Sequence, residues 1–222
     1  WIKTTSTSAQ NQIVSFRGTA IIWFNTFKTG ANIRLKVYLR DDSNNVYQLS
    51  SYNSAAGWIA SDTWTNVMFT RNGGTKAVNL YINGAPAQAT GTDTTSDNFT
   101  SYDKISLGND NYAGGRYWFD GGMDEVAIFN SDETGNATTI AATPLNDLTS
   151  LSPVAYWKMG EEAIFDPAAT EWTISDQAGS NNGTGLNMDI YARTGDAPDS
   201  PNNALSYNMD AAAIVEDTPP NP

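Results

Sequence analysis

The sequence has no cysteine and no histidine among its 222 residues. Without them the chain cannot form a disulfide, a Cys–His or Ser–His–Asp catalytic arrangement, or most kinds of zinc site. No apolar run approaches the roughly 18 residues of a membrane span, so we predict no membrane insertion. Basic residues are also scarce, since 12 Lys and Arg face 24 Asp and Glu and give a formal net charge of −12. This charge argues against nucleic acid as a partner, because nucleic acid attracts basic patches.

Aromatic and turn-forming residues are plentiful. Aromatic residues make up 11% of the chain, including seven Trp, whereas charged residues make up 16%. This balance indicates a hydrophobic core under a polar surface, since disordered chains show few aromatic residues and a high net charge. The abundant Asp and Asn side chains are also compatible with Ca²⁺, which prefers oxygen ligands.

Apolar and polar residues alternate with a period of two in several segments. The clearest is 33–40, whose odd positions are aliphatic and whose even positions are Arg, Lys, Tyr and Arg. A turn and a return strand at 46–49 follow it. Segments 64–70 and 77–82 flank an Arg-Asn-Gly-Gly turn, a typical hairpin connection. The pattern predicts an all-β, antiparallel sandwich. Further strands are predicted at 104–107, 116–119 and 123–129.

The character of the chain changes near residue 150. A short helix is predicted to start at Asp132 and to run through 138–142, before a connector that contains Pro144. A strand-like segment at 154–159 then leads into a loop-rich ending of Pro-Pro-Asn-Pro. We predict a sandwich over residues 1–150 and a C-terminal arm over residues 151–222.

Four segments resemble motifs of the laminin-G-like branch of the concanavalin A-like lectin/glucanase sandwiches. They read WIKTT, DTWTNV, LYING and FDGGMDEVAIFN, and they occur in the family's order at residues 1–5, 62–67, 80–84 and 119–130. The resemblance implies a jelly-roll sandwich with a lectin-like character.

The family's usual first strand, similar to "aLsFdGtdDYv", is missing before Trp1. A similar segment, ALSYNMD, occurs at residues 204–210, and residues 153–210 as a whole resemble the opening of a second unit of the family. Two interpretations follow. The segment completes this sandwich, as in a circular permutant, or it is an appended arm that packs on a neighbour. We favour an appended or partly docked arm.

The C-terminal third, with its YWKMGE and EDTPPNP segments, also resembles structural proteins of marine bacteriophages. This implies a virion component such as a fibre, decoration protein or appendage, located in the virion or outside the cell, whose partners are further copies and other assembly subunits. The alternative is a secreted or surface carbohydrate-binding module that contacts a cell-surface glycan, in one version with Ca²⁺. A weaker third hypothesis is a glycan-active enzyme with an unrecognised site.

The resemblance also implies a calcium site near Asp124. In calcium-binding relatives an acidic residue near this strand helps to hold the ion. Asp110 and Asp120 offer further oxygen ligands on nearby loops. We therefore predict Ca²⁺ as the one cofactor, bound at Asp110, Asp120 and Asp124. The alternative is that these carboxylates accept hydrogen bonds from turn amides.

A sugar contact is predicted in the same region. Asn109 and Asn111 offer hydrogen bonds, and Tyr112 and Trp118 offer aromatic surfaces. Sugars present both hydroxyl groups and C–H faces, so sugar sites combine these two kinds of side chain. The alternative places Trp118 in the core.

Catalysis by a carboxylate pair is the remaining enzymatic possibility, because the same superfold includes glycosidases. Retaining glycosidases need two carboxylates about 5–5.5 Å apart. On a strand, residues i and i+4 share a face, and the residues four positions after Asp124 and Glu125 are Ile128 and Phe129. The carboxylate pattern is therefore absent there, and we predict a non-enzymatic protein.

Overall fold

The fold is described from a computed structural model over residues 1–5, 10–88, 90–96, 99–110, 117–142, 147–160, 162–185, 188, 193–194 and 204–207. These ranges are dominated by antiparallel β-structure. The strands, in chain order, are β1 (Ile2–Lys3), β2 (Asn11–Gly18), β3 (Ile21–Thr29), β4 (Asn32–Arg40), β5 (Val46–Ser50), β6 (Trp58–Ile59), β7 (Val67–Arg71), β8 (Ala77–Ile82), β9 (Ala85–Pro86), β10 (Gly91–Thr92), β11 (Tyr102–Leu107), β12 (Gly121–Met123), β13 (Val126–Ile128), β14 (Ala155–Trp157), β15 (Ala163–Asp166), β16 (Glu171–Ile174), β17 (Gly183–Gly185), β18 (Arg193–Thr194) and β19 (Ala204–Tyr207).

Helical structure is limited in the ranges that the structure describes. It comprises one α-helix, α1 (Ala137–Ala142), and short 3₁₀ turns at Ala55–Gly57, Glu133–Asn136 and Leu148–Leu151. The side chain of Asp132 caps the second 3₁₀ turn by accepting a hydrogen bond from the Thr134 amide. The predicted short helix after Asp132 is thereby confirmed. None of the helices in the described part of the chain is long and apolar enough to span a membrane.

The largest sheet has six strands, in the order β11-β2-β3-β4-β5 with β6 beside β4. Strand β4 shows why the sheet has one buried face. Its residues Ile33, Leu35, Val37 and Leu39 are buried, and the residues between them are half-buried. This alternation is typical of a strand with one side towards a core, and it confirms the strand predicted at 33–40.

Smaller sheets face the buried side of the largest sheet. They have the orders β1-β12-β19-β18, β10-β8-β7 with β9 beside β8, and β13-β14. Phe24 of β3 and Phe69 of β7 have ring centroids 5.2 Å apart, and Val78 and Leu80 of β8 are fully buried in the same core. The architecture is the all-β antiparallel sandwich that the sequence predicted.

The predicted strand over 123–129 is two strands. Strand β12 ends at Met123 and β13 begins at Val126. Between them Glu125 has a φ of 49°, a left-handed conformation that interrupts extended backbone. The strand predicted at 116–119 is also wrong over its described residues, because 117–119 are not in a strand. The amide of Gln12 donates to the Tyr117 carbonyl instead.

Two strands in the described part of residues 151–222 pair with strands of residues 1–150. Strand β14 pairs with β13, and β19 lies between β12 and β18. The separate sheet β15-β16-β17 contributes Trp172 and Ile174 to the sandwich core. The predicted division at residue 150 concerns independent folding and stays a prediction.

Two glycines of β12 allow the close approach of its neighbours. A Cβ on Gly121 would lie 2.0 Å from the Lys3 carbonyl oxygen, and Gly121 has a φ of 144°. A Cβ on Gly122 would lie 2.7 Å from Cη2 of Trp64. The glycines therefore let β1 pair closely with β12 and let the Trp64 ring pack on β12.

Candidate functional site on the outer face of the largest sheet

The outer face of the largest sheet carries aromatic, polar and basic side chains. Residues directly opposite each other on neighbouring strands project to the same face. Trp23 of β3 is opposite Tyr38 of β4, and Asn25 is opposite Lys36. Because the alternate residues of β4 point into the core, these four side chains lie on the face away from it.

Three aromatic rings form a cluster on this face. The ring centroids of Trp23 and Tyr38 are 4.9 Å apart, with the ring planes inclined at 34°. The edge of Tyr117 approaches Trp23 at a centroid distance of 6.4 Å, and Tyr117 is 38% exposed. Aromatic rings grouped in this way present an apolar surface next to polar atoms, which is the combination that a sugar ring requires.

An ion pair holds Arg17 against this cluster. The guanidinium carbon of Arg17 lies 4.8 Å from the centroid of the Trp23 ring. Its Nη2 donates to Oδ2 of Asp110 at 3.3 Å, and its Nε donates to the Asp110 carbonyl at 3.2 Å. The Asp110 side chain is only 1% exposed. Asp110 therefore positions Arg17, and through it the aromatic ring.

Three buried polar atoms on the same face have no hydrogen-bond partner among the described residues. They are Nε1 of Trp23 and Nε of Arg34, which are donors, and Oδ1 of Asn25, an acceptor. A buried polar group left without a partner costs about 1–3 kcal/mol. Such groups in native proteins normally bind protein, ordered water or a ligand. Two of these buried atoms, Trp23 Nε1 and Asn25 Oδ1, thus belong to residues in or beside the aromatic cluster.

The three residues predicted to bind calcium lie in different settings. Asp110 pairs with Arg17, and the backbone carbonyl of Asp120 accepts from Oγ1 of Thr4 at 2.5 Å. Oδ1 of the fully buried Asp124 accepts from the amide of Glu125 at 3.0 Å. Over the described residues, no group of three acidic side chains is placed to hold a metal ion. The calcium site stays a prediction.

Glu125, which directly precedes β13, and Tyr156 of β14 form a buried polar contact. The Tyr156 hydroxyl donates to Oε2 of Glu125, and Tyr156 is fully buried. Burial raises the pKa of Tyr156, and the hydrogen bond to Glu125 raises it further. Tyr156 is therefore a neutral donor at physiological pH, and the Glu125 carboxylate serves to join the two strands.

Two of the four residues predicted to contact sugar, Asn109 and Trp118, are described by the structure, and neither joins the aromatic cluster. Asn109 and Trp118 border a largely apolar cleft of about 1120 Å³ between the sheets, whose lining includes Phe16, Phe69 and Ile105. The lining also includes polar side chains, among them Arg71 and Glu133. Asn111 and Tyr112 lie outside the described residues. The sugar-binding role of these four residues stays a prediction.

Trp23 and Asn25, which the sequence analysis missed, have a weak signal in the sequence. The segment Ile21-Ile22-Trp23-Phe24 is apolar at every position and gives no alternation. The residues that follow, Asn25-Thr26-Phe27, are the only part of the strand that gives a hint. In an extended strand alternate residues share a face, so Trp23 lies on the same face as Asn25.

A family match is consistent with this architecture. The laminin-G model described as the concanavalin A-like lectin/glucanases superfamily matches residues 1–140. The chain belongs to this superfamily. The match contains strands β1 to β13 and all the residues of the outer-face cluster. No curated protein sequence shows significant similarity to this superfamily member.

A solved structure has a similar fold. It is the crystal structure of a candidate carbohydrate-binding protein from Bacteroides ovatus, which superposes with a TM-score of 0.61 at 18% sequence identity. The similarity covers 82% of this chain and 49% of that one, so this superfamily member spans about half the length of its structural neighbour. At this identity the likeness concerns the fold.

Proposed function

We propose that this protein is a non-enzymatic carbohydrate-binding domain and that its binding surface is the outer face of the largest sheet. The observation that carries the proposal is the Trp23–Tyr38–Tyr117 cluster beside the unpartnered Trp23 Nε1 and Asn25 Oδ1. The superfamily and the fold of the Bacteroides ovatus protein support the same class of ligand. The ligand supplies C–H groups to the rings and hydroxyls to the polar side chains around them.

The first test is a glycan array followed by titration calorimetry with the strongest ligand. We expect Trp23→Ala and Tyr38→Ala each to weaken binding at least about tenfold, because each removes part of the stacking surface. Tyr102→Ala is the matched control. Tyr102 is 40% exposed and makes an edge-to-face contact with Phe16, whose facing residue in β3 is Ile22. It therefore lies on the cleft side of the same sheet.

The variants also locate the site. If Trp118→Ala abolishes binding while Trp23→Ala and Tyr38→Ala retain it, the ligand binds at the cleft rim and the outer-face proposal fails. Thermal melting of each variant separates loss of the surface from loss of the fold. Absence of any glycan ligand for the folded wild-type chain overturns the carbohydrate-binding function.

The absence of enzymatic activity is part of the proposal. The chain has no histidine or cysteine, and Asp124 and Glu125 accept hydrogen bonds from the Glu125 amide and from Tyr156, respectively. Release of reducing sugar from any polysaccharide that the protein binds would contradict this part. Calcium dependence is tested in the same assays, by comparing binding and melting in Ca²⁺ and in EDTA.

A virion role is a second proposal. It rests on the resemblance of the C-terminal third to phage structural proteins. In this role the protein is located in the virion or outside the cell and assembles with further copies or other subunits. Light scattering after size-exclusion chromatography tests the assembly. A stable oligomer at micromolar concentration supports it, and a monomer contradicts it.

A further inference from the structure

The basic residues of this acidic protein are concentrated on one face. Across the outer face of the largest sheet the register places Arg17 and Lys104 opposite each other on β2 and β11. Arg34, Lys36 and Arg40 lie on the same face of β4, at alternate positions of the strand. These five residues are a large share of the 12 Lys and Arg in a chain with a net charge of −12.

Two basic residues of β4 flank Tyr38 of the aromatic cluster. Lys36 and Arg40 lie two residues before and two residues after Tyr38, so each is about 7 Å from it along the strand. On the neighbouring strand β5, Gln48 is opposite Tyr38 and adds a polar side chain to the same row. A ligand stacked on Trp23 and Tyr38 therefore lies between positive charges.

The charges on β4 are not paired with carboxylates in the described part of the chain. Arg34 donates to the Ser51 carbonyl and lies 5.0 Å from the ring centroid of Phe27. Arg40 donates from Nε and Nη2 to the Thr19 carbonyl. Lys36 has no hydrogen-bond or ion-pair partner among the described residues. By contrast, Asp110 balances Arg17.

The net negative charge of the molecule does not prevent anion binding at this face. At physiological ionic strength the Debye length is about 8 Å, so distant carboxylates are largely screened. A ligand anion in contact with β4 responds mainly to Lys36, Arg34 and Arg40. Along the strand, Lys36 and Arg40 are two residues from Tyr38, and Arg34 is four residues from it. The local charge thus favours an anion although the whole molecule is acidic.

We propose that the outer face binds anionic glycans, whose sugar rings stack on Trp23 and Tyr38 while carboxylate or sulfate groups contact Lys36, Arg40 and Arg34. This inference rests on the proposed carbohydrate-binding function and adds the class of ligand. Uronate carboxylates and sulfate esters share the required chemistry, since both accept charge-assisted hydrogen bonds from guanidinium and ammonium groups.

Paired polysaccharides test the charge requirement by titration calorimetry. Polygalacturonate is compared with its fully methyl-esterified form, and carrageenan with its desulfated form. We expect one acidic polymer of these pairs to bind at least about tenfold more tightly than its neutral counterpart, because hydrogen bonds to charged groups contribute more than neutral ones. The pair that shows the difference identifies the carboxylate or the sulfate as the anion.

A charge variant localises the effect. Lys36→Gln is expected to weaken binding of the acidic polymer about tenfold more than binding of the neutral polymer. Lys158→Gln is the matched control, since it removes the same charge from a residue stacked on Tyr156, away from the largest sheet. Equal effects of the two variants overturn the localisation at β4.

The outcomes distinguish this inference from the broader function. Equal binding of neutral and acidic polymers, lost in Trp23→Ala, overturns the anionic class and retains carbohydrate binding. A failure to bind any of the four polymers, with no ligand on the glycan array either, overturns both. Tight binding of acidic polymers that Lys36→Gln and Trp23→Ala leave intact overturns the assignment to this face.

Discussion

Buried and exposed ion pairs in this protein involve similar groups but differ in their surroundings. Asp93 accepts from Nε of Arg71 at 2.7 Å, and the Asp93 side chain is fully buried. It also accepts from the amide and the hydroxyl of Thr95. Lys3 and Asp62, at 3.4 Å, form a more exposed pair, in which Asp62 is 69% exposed. Water competes for the second pair and is excluded from the first.

We predict that Asp93→Asn destabilises the protein by about 3 kcal/mol. The amide retains one acceptor but removes the charge that balances Arg71, and its NH₂ group faces donors. Urea unfolding followed by Trp fluorescence measures the change. Asp62→Asn is the control and should cost less than about 1 kcal/mol, because exposed pairs contribute little. Equal losses in the two variants would contradict the importance of burial.

At the scale of elements, β19 is a strand with a hydrogen-bonded neighbour on each side. It pairs with β12 through Tyr207↔Gly121, Ser206↔Gly122 and Leu205↔Met123, and with β18 on its other side. Its two partners are far apart in the sequence, because β12 lies near residue 122 and β18 near residue 193. A strand with neighbours on both sides uses its backbone groups in two ladders, so its amide groups are essential to the sheet.

We predict that Ser206→Pro destabilises the protein by about 3 kcal/mol, since proline removes an amide donor from the middle of a sheet. Ser206→Ala keeps the amide and serves as the control, with a loss below about 1 kcal/mol. Thermal melting and urea unfolding measure both variants. A proline variant as stable as the alanine variant would show that the β12–β19 pairing contributes nothing to stability in solution.

At the scale of the whole molecule, aspartate side chains stabilise many of the turns by accepting hydrogen bonds. Burial of Asp41 would by itself raise its pKa, but hydrogen bonds from Ser96 and Asn45 outweigh this effect and hold the pKa below its ordinary value. For Asp132, hydrogen bonds from Thr134 and Asn72 lower the pKa. The same direction holds for Asp42, Asp147 and Asp176.

This pattern predicts acid unfolding below about pH 4. A carboxyl whose pKa is lower in the folded state stabilises the fold above its unfolded pKa of about 3.9 and loses that contribution as the pH falls through the folded value. The urea midpoint should therefore change little between pH 7 and 5 and fall steeply below pH 4. A midpoint that rises between pH 4 and 2.5 would contradict the role of these carboxylates.

The sequence was sufficient to predict the sandwich but not the outer-face site. Strand β4 alternates clearly, and the Asn-Gly turns indicate hairpins, so these elements follow from local rules. The Trp23–Tyr38 contact depends on the register between β3 and β4, and Asp110 reaches Arg17 from 93 residues away. Such contacts arise from tertiary packing, which a period of two does not encode.

The break between β12 and β13 at Glu125 also depends on tertiary contacts that the sequence pattern does not show. The segment Met123 to Phe129 has the composition of one strand, and no glycine or proline signals a break. The left-handed backbone of Glu125 is stabilised by the Asp124 side chain and by the Tyr156 hydroxyl, which comes from a strand 31 residues later. Only the folded neighbours of this residue explain its conformation.

The position of β19 also has a consequence for biosynthesis. A ribosome releases β12 about 80 residues before β19, so the edge of β12 at Gly122 stays unpaired while the intervening segment is made. An exposed strand edge is a template for pairing with other chains. Nascent copies on one messenger are thus expected to be most prone to exchange strands during this interval, before residue 207 has emerged.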